Sequence, residues 1–410
     1  MSRNHVVGSP NQGGCVDCRD SEGRYILYGA VVDVPDSFSY GVKHSIKRFV
    51  DKSAFRFGYV DRIDYRNYQD GRAYNRGDHS IIVSMAQRIG ALDADGRIVA
   101  VQWGGLESAK LESTDKVLIC GSGYFFPDAI GRLPQRMFSD LRAIEAAGCE
   151  LHFIGAGYNR LLAWERSGAR GLSVESCHLL RRLLERASTI SVRDDNTKIF
   201  LSGLVDKNIS VIGDPALFID SPISVADYFG GGVPSRIGLN IPFHGPQSTA
   251  WVKKNFRQFI DAVREIQKLT KCEFVYFVHY DSELLIADIL RSYGVRLDVV
   301  NAVADRLSCE YAKIDMHIGG MLHSCIIAAA AGVPSVGLAY DEKHFGFFSL
   351  MGRFRYCLDA RLFRSEKLIE RALELWRDLP GERSRMNARR CELFRVFDST
   401  LRKVMFSSVP

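Results

Sequence analysis

The chain has 410 residues, a formal net charge of +6, 46% hydrophobic and 25% charged residues, and a mean hydropathy of −0.07. That length is too great for one ordinary core and fits two domains of roughly 150 to 200 residues, while the composition excludes disordered and fibrous classes. A small excess of positive charge, with no dense Lys/Arg tract and no basic–aromatic repeat, excludes a nucleic-acid binder and suits a small anionic ligand.

Residues 1–22 are rich in Gly, Ser, Asn and Asp, carry no periodicity, and read as a flexible leader. They hold Cys15 and Cys18; the other eight cysteines stand singly. One Cys-x-x-Cys without a second pair or spaced histidines is a weak zinc signal, so no metal site is expected. No stretch reaches the roughly 18 to 20 apolar residues that span a bilayer, and the opening residues lack a signal-type apolar core, so a cytoplasmic protein is expected.

From there strand-length apolar runs alternate with helical stretches: Tyr25–Val32, Ile98–Trp103, Lys116–Cys120, Leu151–Ile154, Ile190–Val192 and Ile209–Ile212. The rhythm breaks in a Gly/Pro-rich segment around Gly230-Gly231-Gly232 and restarts with strands at Ile237–Ile241, Glu273–His279, Ile314–Ile318 and Ser335–Ala339. Helices fall at Trp251–Leu269, Ser282–Tyr293 and Ser324–Ala331. This predicts an α/β protein of two Rossmann-like domains facing a central cleft, with parallel sheets covered on both faces. The boundaries are an N-terminal domain over 23–220, a linker over 221–236, a C-terminal domain over 237–363 and a helical tail over 364–410. The tail is basic and amphipathic (Leu368, Ala372, Leu375); it either packs across the two domains or touches anionic lipid at the inner face of the cytoplasmic membrane.

In open α/β sheets ligands bind beyond the carboxyl ends of the strands, where helix N-termini attract anions. The N-terminal half offers three such loops: Asn75-Arg-Gly-Asp78 before the helix His79–Ile89, Gly121-Ser-Gly123 and Gly155-Ala-Gly157. Each either admits a ligand to the backbone or is only a tight turn. Arg193-Asp194 follows the fifth strand, and its guanidinium either grips a carboxylate or phosphate or belongs to an ordinary ion pair and helix cap. The densest cluster is Gly319-Gly320-Met321-Leu322-His323-Ser324, followed one strand later by Tyr340-Asp341-Glu342-Lys343. A glycine pair with an imidazole at a helix start makes an anion pocket holding a titratable group.

These stretches resemble the polysaccharide pyruvyl transferase family. Asn75-x-Gly-Asp78 is similar to its N-terminal motif, Ile190-Ser-Val-Arg-Asp-Asp195 with Ile212-Gly-Asp-Pro-Ala216 to its middle motif, and Asp315–Lys343 to its C-terminal signature. The resemblance covers about residues 75 to 352 and implies a GT-B-like fold, phosphoenolpyruvate as donor and co-substrate, no cofactor, and a sugar diol on a glycan or lipid-linked oligosaccharide as acceptor. It puts Arg193 on the phosphoenolpyruvate-binding arginine and His323 on the active-site histidine. One departure is Met321, where the family usually has Arg before Leu-His; Lys343, His317 or Arg353 is then needed to supply the missing charge. The residues ahead of Asn75 also exceed what the resemblance leads one to expect.

The expected chemistry protonates the donor at C3 and lets a sugar hydroxyl attack C2, after which a second hydroxyl displaces phosphate and closes a cyclic ketal. His323 is assigned as acid, Asp78 or Asp194 as base, and Arg193 with Lys343 as anion clamps, with Asn75, Gly121, Gly123, Gly157, Gly320, Met321 and Ser324 lining the substrates. The competing readings are a sialyltransferase-like GT-B glycosyltransferase with a nucleotide-sugar donor, and a family member that binds without turnover.

Overall fold

The structure, a computed structural model, describes residues 23–29, 38–68, 75–162, 171–220 and 235–406, the side chains of 38–44 and of residue 67 aside. The expected leader 1–22, with Cys15 and Cys18, lies outside the described residues, as does most of the expected linker; its last residue, Arg236, already begins a strand.

Two six-stranded sheets form, and all their strand pairs are parallel. The first runs β2-β1-β3-β4-β5-β6, built from β1 Tyr25–Gly29, β2 Ile98–Gln102, β3 Lys116–Cys120, β4 Glu150–Ala156, β5 Thr189–Val192 and β6 Ile209–Val211. The second runs β12-β11-β10-β7-β8-β9, from β7 Arg236–Asn240, β8 Glu273–Phe277, β9 Leu297–Val300, β10 Met316–Gly319, β11 Ser335–Ala339 and β12 Cys357–Asp359. Central strands such as β1 and β11 are buried along their whole length, as expected where helices cover both faces of a parallel sheet. In its own count the second sheet has the order 3-2-1-4-5-6 in reverse, the doubly wound arrangement whose direction switches between β7 and β10. The first sheet switches between β1 and β3 instead, so the two halves share an architecture but not a strand order.

Two elements cross between the halves. The helix Phe38–Arg56 follows β1 in sequence yet packs on the C-terminal half, with Arg48 paired to Asp288 at 3.1 Å and Phe55 edge-on to Phe256 at 5.6 Å between centroids. The tail forms two helices, Ser365–Arg377 and Leu379–Phe406. The second begins on the C-terminal half, where Arg383 meets Asp315 at 3.3 Å. It ends on the N-terminal half, where Lys116 Nζ donates to the carbonyls of Val404 and Met405 and Phe397 stacks on Phe218 at 4.7 Å.

Candidate active site

The carboxyl ends of the two sheets meet, and four helix starts converge there. Three are capped by their own side chains. Asn75 accepts from the N–H groups of Gly77 and Asp78 at the start of Arg76–Leu92, Asp194 from Thr197 at the start of Asp195–Ser202, and Asp341 from Lys343 at the start of Glu342–Leu350. The fourth, Leu322–Ala330, begins at Met321 with no side-chain cap, two residues earlier than its sequence suggests. Its first-turn N–H groups are therefore the ones left for a ligand.

The turn before this helix is held from behind. Asn240, at the end of β7, accepts from Met321 N–H at 3.2 Å through its side chain and from Gly320 N–H at 2.7 Å through its backbone. The Gly320 carbonyl lies 3.2 Å from His344 Nε2, and Ser324 Oγ donates to the Met321 carbonyl at 2.7 Å and lies 2.9 Å from His317 Nε2. Ser324, expected to line the substrate, is fully buried and locks the first turn of its own helix.

His323 sits at the junction between two carboxylates. Its Nδ1 is 3.2 Å from Asp78 Oδ1 and its Nε2 is 3.7 Å from Asp214 Oδ2. Asp78 is steadied by Asn75, whose Nδ2 donates to its other oxygen at 2.6 Å. Asp214 is buried, and its Oδ1 caps the turn Pro215–Phe218 by accepting from Ala216 N–H. Asp214 Oδ2 and His323 Nε2 are both buried without a hydrogen-bond partner, which is costly unless something bridges them or the two form a charged pair. One acceptor per ring nitrogen is the arrangement that satisfies both N–H groups of a protonated imidazole. Gly77 permits the approach: a Cβ there would fall 2.4 Å from that of His323.

Lys343 supplies the positive charge. Its ammonium lies over the Tyr340 ring at 5.5 Å and forms no ion pair among the described residues. Burial works to lower its pKa, but Tyr340, Asp341 and Asp78 outweigh that and raise it above the ordinary lysine value. It stays charged at neutral pH. Of the other two cations weighed for the missing family arginine, Arg353 is tied to Glu382 on the last helix, and burial drives His317 down to about 3, so it is neutral. Met321 itself is buried. Tyr280, stacked on His244 at 4.4 Å, completes the wall; burial first, and Asp78 next, push its phenol well above its usual pKa, leaving it an O–H donor.

Arg193 and Asp194 form the ion pair and helix cap that the sequence left open beside an anion-gripping role. The Arg193 guanidinium is 3% exposed and donates to Asp194, the Ser122 and Tyr158 carbonyls and Asn159 Oδ1. Both Asp194 oxygens are taken, one by Thr197 and one by Arg193. The pair thus forms an ion pair and helix cap that ties together the loops after β3 and β4, although the Arg193 charge still acts on Lys343 and Asp341. The glycines of those loops make room for protein rather than ligand. A Cβ at Gly157 would meet Arg193 Cζ at 2.2 Å and one at Gly123 would meet Asn159 Nδ2 at 1.9 Å; Gly121 turns at φ +47° against Ile81 and Pro215, and Gly320 abuts Pro242. The loop after β4 then reaches the other half, where Leu162 N–H donates to Tyr340 O and Glu342 N–H to Arg160 O.

Sequence reasoning missed Arg76, whose guanidinium donates to Asp281, Asn301 and the Ala302 carbonyl and so pins the Asn75–Asp78 turn to the C-terminal half. It also gave no role to Asp214, whose signal was the Gly-Asp-Pro step after the sixth strand. No group of His, Cys, Asp and Glu that could hold a metal occurs among the described residues.

Two parallel sheets with switch points facing one junction define a GT-B-type fold. Solved structures agree: a putative UDP-N-acetylglucosamine 2-epimerase from Listeria monocytogenes superposes with a TM-score of 0.51 at 14% identity, covering 76% of this chain and 88% of that one. MnaA from S. aureus, in a co-structure with UDP, gives 0.51 at 13% identity over 76% and 87%. The family is shown by sequence: the polysaccharide pyruvyl transferase model matches residues 31–342, more than half of the chain, and the chain belongs to that family of transferases. No curated protein matches the chain at a significant level.

Proposed function

We propose that this enzyme transfers pyruvate from phosphoenolpyruvate to two hydroxyls of a sugar, forming a cyclic ketal and releasing phosphate. The observation that carries this reading is the meeting of an uncapped helix start, an unpaired Lys343 and the Asp78–His323–Asp214 row at one junction. The N–H groups of Leu322–Ser324 and the Lys343 ammonium bind the donor's carboxylate and phosphate. His323 donates its proton to C3, creating a cationic C2 that the first hydroxyl attacks. Asp78, the more exposed carboxylate at 22% against 1% for Asp214, takes that hydroxyl's proton, and Asp214 holds the second N–H of the imidazole. The second hydroxyl then attacks C2 as the C–O bond to phosphate breaks. One hydroxyl hydrogen ends on the new methyl group and the other on phosphate, so the step balances without oxidant, reductant or cofactor.

In this reading Lys343 does the work of the family arginine absent at Met321, and Arg193 contributes a fixed positive charge from behind. The acceptor is a glycan or lipid-linked oligosaccharide, and the enzyme works on the cytoplasmic side of the membrane. Incubation with phosphoenolpyruvate and with a panel of nucleotide sugars, following phosphate and nucleotide release, tests the proposal. Acceptor-dependent phosphate release supports it, whereas nucleotide release alone assigns the site to glycosyl transfer. Failure to bind either donor by calorimetry assigns it to a binding protein without turnover.

A further inference from the structure

The helix Phe38–Arg56 has two apolar faces, and one is bare. Phe55 and Asp51 point inward, buried at 1%, with Arg257 donating to the Phe55 carbonyl and Asp51 accepting from Tyr68. On the outside, Ile46, Phe49 and Val50 are 64%, 66% and 53% exposed, and the stripe continues past the helix end through Phe57 and Tyr59 at 74% and 61%. The spacing 46, 49, 50, 57 is that of one helix face prolonged into its exit turn. No other described segment exposes so many large apolar residues in sequence.

Cations border this stripe. Over residues 45–62, Lys47, Arg48, Lys52, Arg56 and Arg62 stand against Asp51 and Asp61, five positive charges less two negative, or +3, with Lys47 paired to Asp51 and Arg48 to Asp288. The Lys52 ammonium lies 5.4 Å from the Phe49 ring and the Arg62 guanidinium 5.4 Å from the Tyr59 ring. Ring bodies with cations alongside suit an interface where apolar groups enter the acyl boundary and charges remain among headgroups. A second copy of the chain fits poorly, because a two-fold contact would press this basic border against itself.

We propose that this face docks the enzyme peripherally on an anionic lipid surface. The last helix, for which the sequence left lipid contact open beside packing across the two domains, turns its apolar side inward: Met386, Leu393, Phe397, Leu401 and Val404 are buried. No helix among the described residues is long and apolar enough to cross a membrane, so contact through this face is interfacial. The proposal does not depend on the reading of the active site.

Co-sedimentation of the full chain with phosphatidylcholine vesicles, with and without phosphatidylglycerol, tests it. Binding is expected only with the anionic lipid and falls with added salt. Lys52→Gln with Arg56→Gln weakens it about 25-fold, from roughly fivefold per cation near such a surface, and Phe49→Ser with Phe57→Ser weakens it at least about tenfold. Ile46→Ser provides a third, milder variant, and turnover of a soluble acceptor is unchanged in all three. Equal binding to neutral vesicles, or unchanged partitioning of the Phe49→Ser/Phe57→Ser chain, overturns the proposal. So does a lipid-free dimer abolished by that variant, which would assign the face to a second copy.

Discussion

Replacing Gly77 with alanine probes the site through a single methyl group. The added carbon would lie 2.4, 2.7 and 2.9 Å from Cβ, Cγ and Nδ1 of His323, whereas ordinary contact begins near 3.4 Å. The imidazole must therefore retreat by about 1 Å, and the buried helix that carries it leaves no route into solvent. Gly77 is not in the left-handed region, so the helix itself tolerates alanine and gains about 1 kcal/mol in propensity. Overpacking at the junction costs about 1 to 3 kcal/mol, leaving net stability lower by no more than about 2 kcal/mol. A displacement of about 1 Å in a reacting group costs about 10²-fold in rate. The assay is acceptor-dependent phosphate release with a parallel thermal melt, and Gly90→Ala, in the same helix with nothing within 4 Å of its new methyl, is the control. Gly77→Ala is expected to lose about 10²-fold in kcat and stay folded, while Gly90→Ala keeps its rate. A folded Gly77→Ala enzyme within threefold of the parent would refute the assignment of His323.

Lys343→Met should raise the KM for phosphoenolpyruvate and cut kcat/KM by about 10- to 150-fold, as expected for a lost charge-assisted contact of about 1.5 to 3 kcal/mol; an unchanged KM would mean another cation holds the donor. Asp214→Asn keeps the cap on Ala216 N–H but removes the charge facing His323 Nε2, so kcat should fall about tenfold or more with little change in the melt, and a fall in stability with full activity would make Asp214 purely structural. Burial lifts the Glu283 carboxyl to about 8, against its hydrogen bonds from His279 and Tyr280 N–H and Asn240. The folded state then holds a proton that the unfolded chain releases near its ordinary value, so this group's contribution to stability is full below about pH 4.5 and lost as pH rises through 8. Calorimetry of Glu283→Gln should show a shallower decline between pH 5 and 8 than the parent; parallel curves would contradict the raised carboxyl.

The sequence was most legible where burial is uniform. Lys116–Cys120 and Ser335–Ala339, each buried from its second residue on, appear as strands with the boundaries read from sequence. Leu297–Val300 and Cys357–Asp359 were missed because they form the two edges of the second sheet, short and partly exposed, with Asp298 and Asp359 interrupting the apolar run. The helix Phe38–Arg56 was missed for a related reason: with apolar residues on both sides and basic ones between, it shows no single stripe. At the site, His323 announced itself through the glycines before it. The fate of Arg193 did not, since its partners Ser122, Tyr158 and Asn159 come from loops far away in the chain. Nor could the tie between Asp214 and His323, which lie 109 positions apart and on opposite halves, be read from local pattern.

The last helix also governs how the molecule can move. Its beginning is fastened by Arg383 to Asp315 and by Arg390 to the Ala330 carbonyl, and its final turn is clasped by Lys116. A rod secured at both ends fixes one margin of the molecule, so any relative motion of the two halves is expected as a narrow hinge about that margin rather than as wholesale separation. Because Arg76 bonds the Asp78 turn to Asp281, Asn301 and the Ala302 carbonyl on the half that carries His323, such a hinge must either carry those bonds along or break them.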